Sequence, residues 1–354
     1  MKIALVTDTH FGARGDHQTF DRFFEQFYNK VFFPVIDKLQ IEHVVHLGDM
    51  FERRKFVNYV TLSSCRRYFF EELHRRGTQL HVIVGNHDIF YKNTLEVNSP
   101  DLLLGKYENV RIIQEPITQT FGGITALMIP WMCDKNMDAT MELLKNAPAD
   151  IVFGHLDVTG FEMYRGQVNT GGFNPSLFSR FESVYSGHFH HRSTKGNITY
   201  LGNPYEITWA DYNDPRGFHI LDTDTRQLNF IENPFRMFHK LEYNDKDTNY
   251  NTVDVRKYAE RHVKVLVINK TDQTMFDAFI DKMYNVNPVE IKIIENSIDY
   301  DDQALNDKTV DVEDTMSLLE QYVDSIDLDL DKDKFKTFLK GLYVEAQQLE
   351  EEGL

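Results

Sequence analysis

Cysteine is nearly missing: two occur in 354 residues, Cys65 and Cys133, far apart in sequence. They make neither a metal-type pair nor a disulfide framework, so a stapled secreted scaffold is excluded and a reducing cytoplasm is the simplest home. No apolar run approaches the twenty or so residues of a membrane span. The chain opens straight into a strand-like run, residues 2–6, with no signal-peptide core before it. Internal repeats and low-complexity segments are absent as well. Positive charge is scarce, with 38 Lys and Arg against 55 Asp and Glu and a net charge of −17. The deficit is uneven: residues 1–235 carry 23 basic and 28 acidic side chains, residues 236–354 carry 15 and 27. Such a chain does not hold nucleic acid by a broad basic face, because neutralising phosphates takes clustered Lys and Arg. Were its substrate DNA, bound metal ions, a few local basic residues or a partner would have to supply the attraction.

What is present is a repeated kind of strand end. Residues 80–84 form a short β-branched run stopped by Gly85, and Asn86, His87 and Asp88 follow directly. Four other runs end alike. Residues 2–6 lead into Asp8-Thr9-His10, and 43–47 into Gly48-Asp49. Residues 151–153 lead into Gly154-His155, and 183–186 into Gly187-His188-Phe189-His190. A single histidine in such a place is ordinarily a hydrogen-bonded core or loop residue. Five coincident ends, all with oxygen or imidazole donors and four with glycine, argue for a working site, since open α/β sheets bind ligands outside the carboxyl ends of their strands.

Taken in order, residues 20–39 place Phe20, Phe23, Phe24, Phe27 and Val31 at helical spacing, an aromatic stripe expected to pack on the sheet, with Pro34 expected to end or kink the helix. Arg53-Arg54-Lys55 is a basic triplet beside the strand ends, either a solvated turn or a phosphate contact. A second helix is expected over 59–76, and a short one from Asn98-Ser99-Pro100-Asp101 through Leu104. Strands follow at 110–113 and 124–129, a helix around 138–145, then strands at 198–201, 218–221 and 228–231. Alternating strands and helices, then mostly strands, predict an α/β sandwich of two sheets. Beyond Asn233-Pro234, residues 263–268, 275–284 and 289–294 form a small β-α-β unit. Residues 297–312 hold five aspartates and few hydrophobics and read as a linker. Two amphipathic helices finish the chain, their apolar stripes running from Met316 to Ile326 and from Phe335 to Leu349.

Carboxylate, amide oxygen and imidazole together suit manganese, iron or zinc, and the lack of cysteine argues against a structural zinc. Seven donors, Asp8, His10, Asp49, Asn86, His155, His188 and His190, are too many for one ion. They suit two ions if one carboxylate bridges. Two ions about 3.5–4 Å apart activate a bridging water and clamp a phosphoryl group for in-line attack. His87 is left to protonate or stabilise the leaving oxygen. Asp88 either orients that imidazole or caps the following turn.

In this order, Asp-x-His, Gly-Asp, Gly-Asn-His-Asp, Gly-His and Gly-His-x-His resemble the calcineurin-like metallophosphoesterase superfamily over residues 1–235. The resemblance implies a four-layer α/β/β/α sandwich with a dinuclear site. Asp8, His10, Asp49 and His190 would hold one ion; Asp49, Asn86, His155 and His188 would hold the other, with Asp49 bridging. Phosphoprotein phosphatases carry Val-Asp-Arg-Gly after Gly-Asp and Glu after Asn-His. Here Met50-Phe51-Glu52-Arg53 and Asp88 stand instead, as in SbcD/Mre-type DNA repair nucleases. Residues 129–133 (Ile-Pro-Trp-Met-Cys) and 213–218 (Asn-Asp-Pro-Arg-Gly-Phe) look closest to the phage members of that group.

The resemblance further implies a phosphoesterase domain at 1–235, a capping domain at 236–296, an acidic linker at 297–312 and a helical region at 313–354 that binds an SbcC-type coiled-coil ATPase. It implies two manganese (or magnesium) ions, DNA as substrate and a homodimer formed by residues near 59–70 and 100–104. The expected activity is duplex exonuclease and single-strand endonuclease in double-strand-break processing. A phosphatase or phosphodiesterase on small molecules or phosphoproteins is the alternative on the same site. A scaffold with a decayed site is the third reading, and would be marked by missing ligands; none is missing.

Overall fold

The computed structural model describes residues 1–164 and 166–295, with Val323, Lys332, Phe335, Lys336 and Leu339 beyond them. The chain divides into two units, Met1–Asp299 and Tyr300–Leu354, and the first holds every element named below. Its strands are, in order, β1 (Lys2–Val6), β2 (His43–His46), β3 (Gln79–Ile83), β4 (Val110–Ile113), β5 (Ile117–Phe121), β6 (Ile124–Ile129) and β7 (Ile151–His155). Then come β8 (Glu162–Tyr164), β9 (Gln167–Val168), β10 (Ser183–Gly187), β11 (Ser193–Lys195), β12 (Ile198–Tyr200), β13 (Gly217–Asp222) and β14 (Leu228–Glu232). The last three are β15 (Phe238–Asn244), β16 (His262–Asn269) and β17 (Glu290–Ile294).

Two six-stranded sheets carry the order β14-β13-β1-β2-β3-β4 and β11-β12-β10-β7-β6-β5. The period-2 rule explains why these strands read as unbroken apolar runs: both faces are buried. Ile3 and Leu5 of β1 join Val45, Ile83, Met128, Phe153 and Tyr185 in the core between the sheets. Ala4 and Val6 face the other way, onto the aromatic helices. Val152 and Val184 of the second sheet likewise face outward, toward Leu144 of the helix Met137–Asn146. Helix, sheet, sheet, helix is the four-layer sandwich expected from the sequence.

The aromatic stripe is buried as expected, Phe20, Phe23, Phe24 and Phe27 all lying within the outer core. Pro34 does not end that helix. Segments Gln18–Phe27, Tyr28–Phe32 and Phe33–Leu39 run on, the middle one as a wider turn in which the Phe33 N–H reaches back to the Tyr28 carbonyl. A proline lacks the N–H for the regular ladder and crowds the carbonyl four residues back; opening the turn just before it relieves both. Asn98 caps the short helix Ser99–Leu104 by accepting from the Asp101 N–H at 2.9 Å.

Beyond the sandwich, β15, β16 and β17 form a parallel three-stranded sheet with the helix Gln273–Tyr284 on one face. Strand β15, reading Phe-His-Lys-Leu-Glu-Tyr-Asn, was not legible as a strand because its buried positions are interrupted by charge. Strands β5, β8, β9 and β11 also escaped the sequence pattern. Of the two terminal apolar stripes only Val323, Phe335 and Leu339 fall among the described residues, all helical. The linker and the rest of those helices lie outside them. Among the described residues no helix is long and apolar enough to cross a membrane.

Candidate metal centre

The carboxyl ends of β1, β2, β3, β7 and β10 gather the residues singled out in the sequence. Their loops are interlocked by backbone bonds: Asp8 N–H to Gly48 O at 3.0 Å, His10 N–H to Asp49 O at 3.2 Å and Phe11 N–H to Met50 O at 2.9 Å. Asp8, His10, Asp49 and His188 take φ of 50°, 43°, 54° and 89°, the left-handed region that costs a non-glycine residue energy and clusters at functional sites. Gly85 shows why these ends need glycine. A Cβ there would stand 2.2 Å from Asp49 Oδ1.

Among the described residues three groups of donors are each compact enough to hold one ion, each with ligand atoms within 4.8 Å of one another: Asp8, His10 and His190; Asp49, His155 and His188; and His10, Glu52 and His87, which shares His10 with the first. His10 Nε2 faces His190 Nε2 at 3.0 Å. Asn86 Oδ1 lies 2.9 Å from His155 Nε2 and 3.0 Å from His188 Nδ1. Asp49 straddles its neighbours: Oδ2 is 3.1 Å from His155 Nε2, while Oδ1 accepts the His87 backbone N–H at 2.8 Å.

The donor set calls for a cation. His155 Nδ1 donates to the Leu47 carbonyl at 2.7 Å, which leaves the Nε2 lone pair of a neutral ring pointing at the Asp49 carboxylate. Two acceptors at that distance repel unless a proton or a metal ion sits between them. The titration behaviour says the same. Burial works to discharge His155, yet Asp49 and Asp8 hold it up at about 9. Burial also works against Asp49, but His155, His87 and His10 keep its carboxyl well below the usual range. Asp8 is raised by burial and by the Asp49 charge.

Asp88 has a different place from the catalytic one expected. Its Oδ1 accepts the N–H groups of Met50 and Phe51 at 2.9 and 3.3 Å, and Oδ2 accepts that of Gly85 at 2.9 Å. Fully buried and raised to about 6 by burial and by Asp49, it clasps the β2 and β3 loops together. These bonds run to backbone that precedes Asp88, neither to the His87 ring nor to the following turn, the two places considered for it. The His87 ring is instead fixed by Nδ1 donating to the Glu52 carbonyl at 2.7 Å, and it stands edge-on to His10 with centroids 5.0 Å apart.

Three supporting residues lie in stretches that carried the resemblance but had been given no role of their own. Glu52 Oε2 lies 2.8 Å from His10 Nδ1, an ionic contact rather than an aligned hydrogen bond. Arg216, buried in the Asp-Pro-Arg-Gly stretch, donates to the His190 carbonyl and to Asn203 Oδ1, and pairs with Asp211 and Asp214 at 2.8 Å each. It locks the loop that presents His190. Trp131 lies with its ring 5.0 Å from that of His188 and 6.0 Å from that of His155. The basic triplet lines a groove of about 190 Å³ with Phe56, Tyr59 and Leu102.

Residues 1–192 match the family model described as calcineurin-like phosphoesterase. Over 351 residues, 98% of this chain and 100% of the relative, the sequence is 32% identical to exonuclease subunit 1 of Enterobacteria phage T4. Among solved structures, an archaeal phosphodiesterase aligns at 15% identity and a TM-score of 0.34, covering 66% of this chain and 100% of that one. The Pseudomonas putida nuclease MPE aligns at 14% and 0.28, covering 65% and 87%. Scores this low carry no argument about either fold or chemistry.

Proposed function

The chain belongs to the calcineurin-like phosphoesterase family, and from that premise we propose a metal-dependent DNA nuclease, exonucleolytic on duplex ends and endonucleolytic on single strands. It is a phosphodiesterase-type enzyme of a family that works with paired divalent metals. One observation supports the finer reading: the identity to a phage exonuclease subunit runs over 98% of the chain, and the chain itself brings together the donor groups Asp8-His10-His190 and Asp49-His155-His188.

In this reading Asp8, His10, Asp49 and His190 hold one divalent ion, and Asp49, Asn86, His155 and His188 hold the second. Manganese suits the mixed oxygen and imidazole set best. Ions bound there would activate a water and clamp the scissile phosphate. The chain's own residues do the rest. Asp49, with Oδ2 beside His155 Nε2 and Oδ1 held by the His87 N–H, would be the bridging carboxylate. His87, its Nδ1–H committed to Glu52 O, holds the transferable proton at Nε2 for the leaving oxygen. Asp88 and Arg216 position the loops.

The relative's name, a subunit, supports a partner protein, and we assign the SbcC-type ATPase to residues 313–354, with the cap at 236–296 and the acidic linker at 297–312. Encoded by a phage, such a chain would act in the cytoplasm of the host. A homodimer through residues 59–70 and 100–104 is supported by an exposed apolar face there, Tyr59 being 87% and Leu102 71% accessible.

Incubating the purified chain with labelled duplex and single-stranded DNA, and separately with p-nitrophenyl phosphate, in manganese, magnesium or chelator tests the activity. Metal-dependent DNA cleavage with little monoester hydrolysis is expected. Monoester hydrolysis alone would transfer the site to a phosphatase.

A further inference from the structure

Behind the metal centre, one short segment between β12 and β13 touches both loops that carry the first donor group. Gly202, at φ 72°, lies so close to the His190 carbonyl that a Cβ there would stand 2.8 Å from its oxygen. Next to it, Asn203 Oδ1 accepts from Arg216, whose guanidinium also grips the His190 carbonyl. Two residues on, the Tyr205 hydroxyl donates to the Thr9 carbonyl at 2.6 Å. Thr9 is the middle residue of Asp8-Thr9-His10.

A buried tyrosine hydroxyl needs an acceptor, and a backbone carbonyl is an ordinary one. What sets this bond apart is the loop it reaches. Asp8 and His10, on either side of Thr9, take left-handed φ of 50° and 43°, a conformation that persists only where the surroundings over-determine it. Thr9 Oγ1 donates to the Met50 carbonyl at 3.1 Å and lies 3.0 Å from His46 Nε2. The Thr9–His10 peptide is held at both edges, its N–H on the Asp49 carbonyl at 3.2 Å and its carbonyl by Tyr205. The tyrosine itself is fixed. Its ring is fully buried and stacked on Phe24, with 3.8 Å between centroids and 13° between planes, and Phe27 stands edge-on at 5.6 Å. Asn233 Nδ2 holds the preceding Pro204 carbonyl at 3.1 Å. The second donor group is tied elsewhere, His155 Nδ1 donating to the Leu47 carbonyl at 2.7 Å.

We propose that Tyr205 is a positioning residue for the first metal ion: with Gly202 and Asn203 beside it, it holds Asp8, His10 and His190 at the spacing that ion needs, and acts on that side of the centre alone. Donors on two loops 180 residues apart, such as His10 and His190, share an ion only while the loops keep their separation to within about 0.5 Å. One rigid segment braced on both loops sets that separation. Without the hydroxyl, the Thr9 carbonyl is left buried with that donor gone, and the Thr9–His10 peptide turns to replace it, carrying the His10 ring with it. This deepens the metal-dependent reading of the centre and rests on it.

The test titrates manganese alone into the metal-free full chain by calorimetry. The wild type should take up two ions. In Tyr205→Phe, which keeps the ring, one ion should bind about 10–100-fold more weakly, the range for an outer-shell partner, and the other as before. Tyr28→Phe removes a buried hydroxyl from the same aromatic cluster, with 6.3 Å between the Tyr28 and Tyr205 centroids, and should leave both affinities unchanged. His10→Ala identifies the side affected: it should keep the second ion, and adding Tyr205→Phe should weaken that ion no further. Wild-type affinities in Tyr205→Phe, an equal loss in Tyr28→Phe, or further weakening in the double variant overturns the inference. A chain that shows the expected pattern yet cuts no DNA leaves the inference standing and overturns the nuclease reading alone. A wild type that binds fewer than two ions overturns the two-ion reading and the inference with it.

Discussion

The two ends of the sandwich pair their histidines at nearly the same distance and give them opposite characters. At the carboxyl ends, His10 and His190 face each other at 3.0 Å; near the start of β2 and in β3, His43 and His81 do so at 3.1 Å. The second pair packs on Phe121, and burial lowers both rings, His81 to about 4. His46, at the end of β2 but behind the site, is likewise pushed down to about 3 by burial; Thr9 Oγ1 lies 3.0 Å from its Nε2 and the Gly48 N–H 3.3 Å from its Nδ1. At the carboxyl ends burial is as complete, yet His155 is held at about 9. The difference is the carboxylates. His46 feels the Asp49 charge without touching the carboxylate and stays neutral, whereas His155, 3.1 Å from Asp49 Oδ2, is held up and becomes half of a cation-binding cage.

Removing that carboxylate is the strongest way to break the contrast. Asp49→Asn should abolish hydrolysis and weaken both metal sites, with the fold kept. His43→Gln at the other end should change neither rate nor metal stoichiometry. Calorimetric metal titration with a hydrolysis assay checks both. Next in size is His87→Ala, expected to cost about 10²–10⁴ in rate, the range of a positioned acid, while metal stoichiometry stays as in the wild type. Metal lost with the ring would make His87 a ligand. Arg216→Lys keeps the charge beside Asp211 and Asp214 but loses the fork that grips the His190 carbonyl. Metal affinity should fall about 10–100-fold, as for other outer-shell partners, with the melting temperature little changed.

The smallest effect comes from a carboxylate without histidines. Glu206, buried where the sandwich meets the start of β15, accepts the Met237 and Phe238 N–H groups at 2.6 and 2.9 Å, and burial raises it to about 7. A folded value above the unfolded 4.5 means that its contribution is fully present below about pH 4.5 and is lost as pH rises through 7. Glu206→Gln should therefore stabilise the chain at pH 8 by on the order of 2 kcal/mol relative to pH 5, read as a difference in melting temperature between the two pH values.

Much of this was legible in the sequence because the site is built at strand ends. An unbroken apolar run stopped by glycine announces both the strand and the place where its donors emerge, so residues 180 positions apart, such as His10 and His190, could be grouped before any fold was known. Glu52 and Arg216 could not. Their importance lies in what they touch, and a charged residue in a loop looks the same whether it is solvated or locked under a ligand. Adjacency to His87 along the chain left two roles open for Asp88 and could not reveal a third: its oxygens point back to three backbone N–H groups.

The claim that Asp49 joins two ions is tested most directly by electron paramagnetic resonance of the chain titrated with manganese. Two equivalents per chain should bind and give the multiline signal of an exchange-coupled pair, which Asp49→Asn loses. A single bound equivalent, or two that give only the six-line signal of isolated ions, would contradict it.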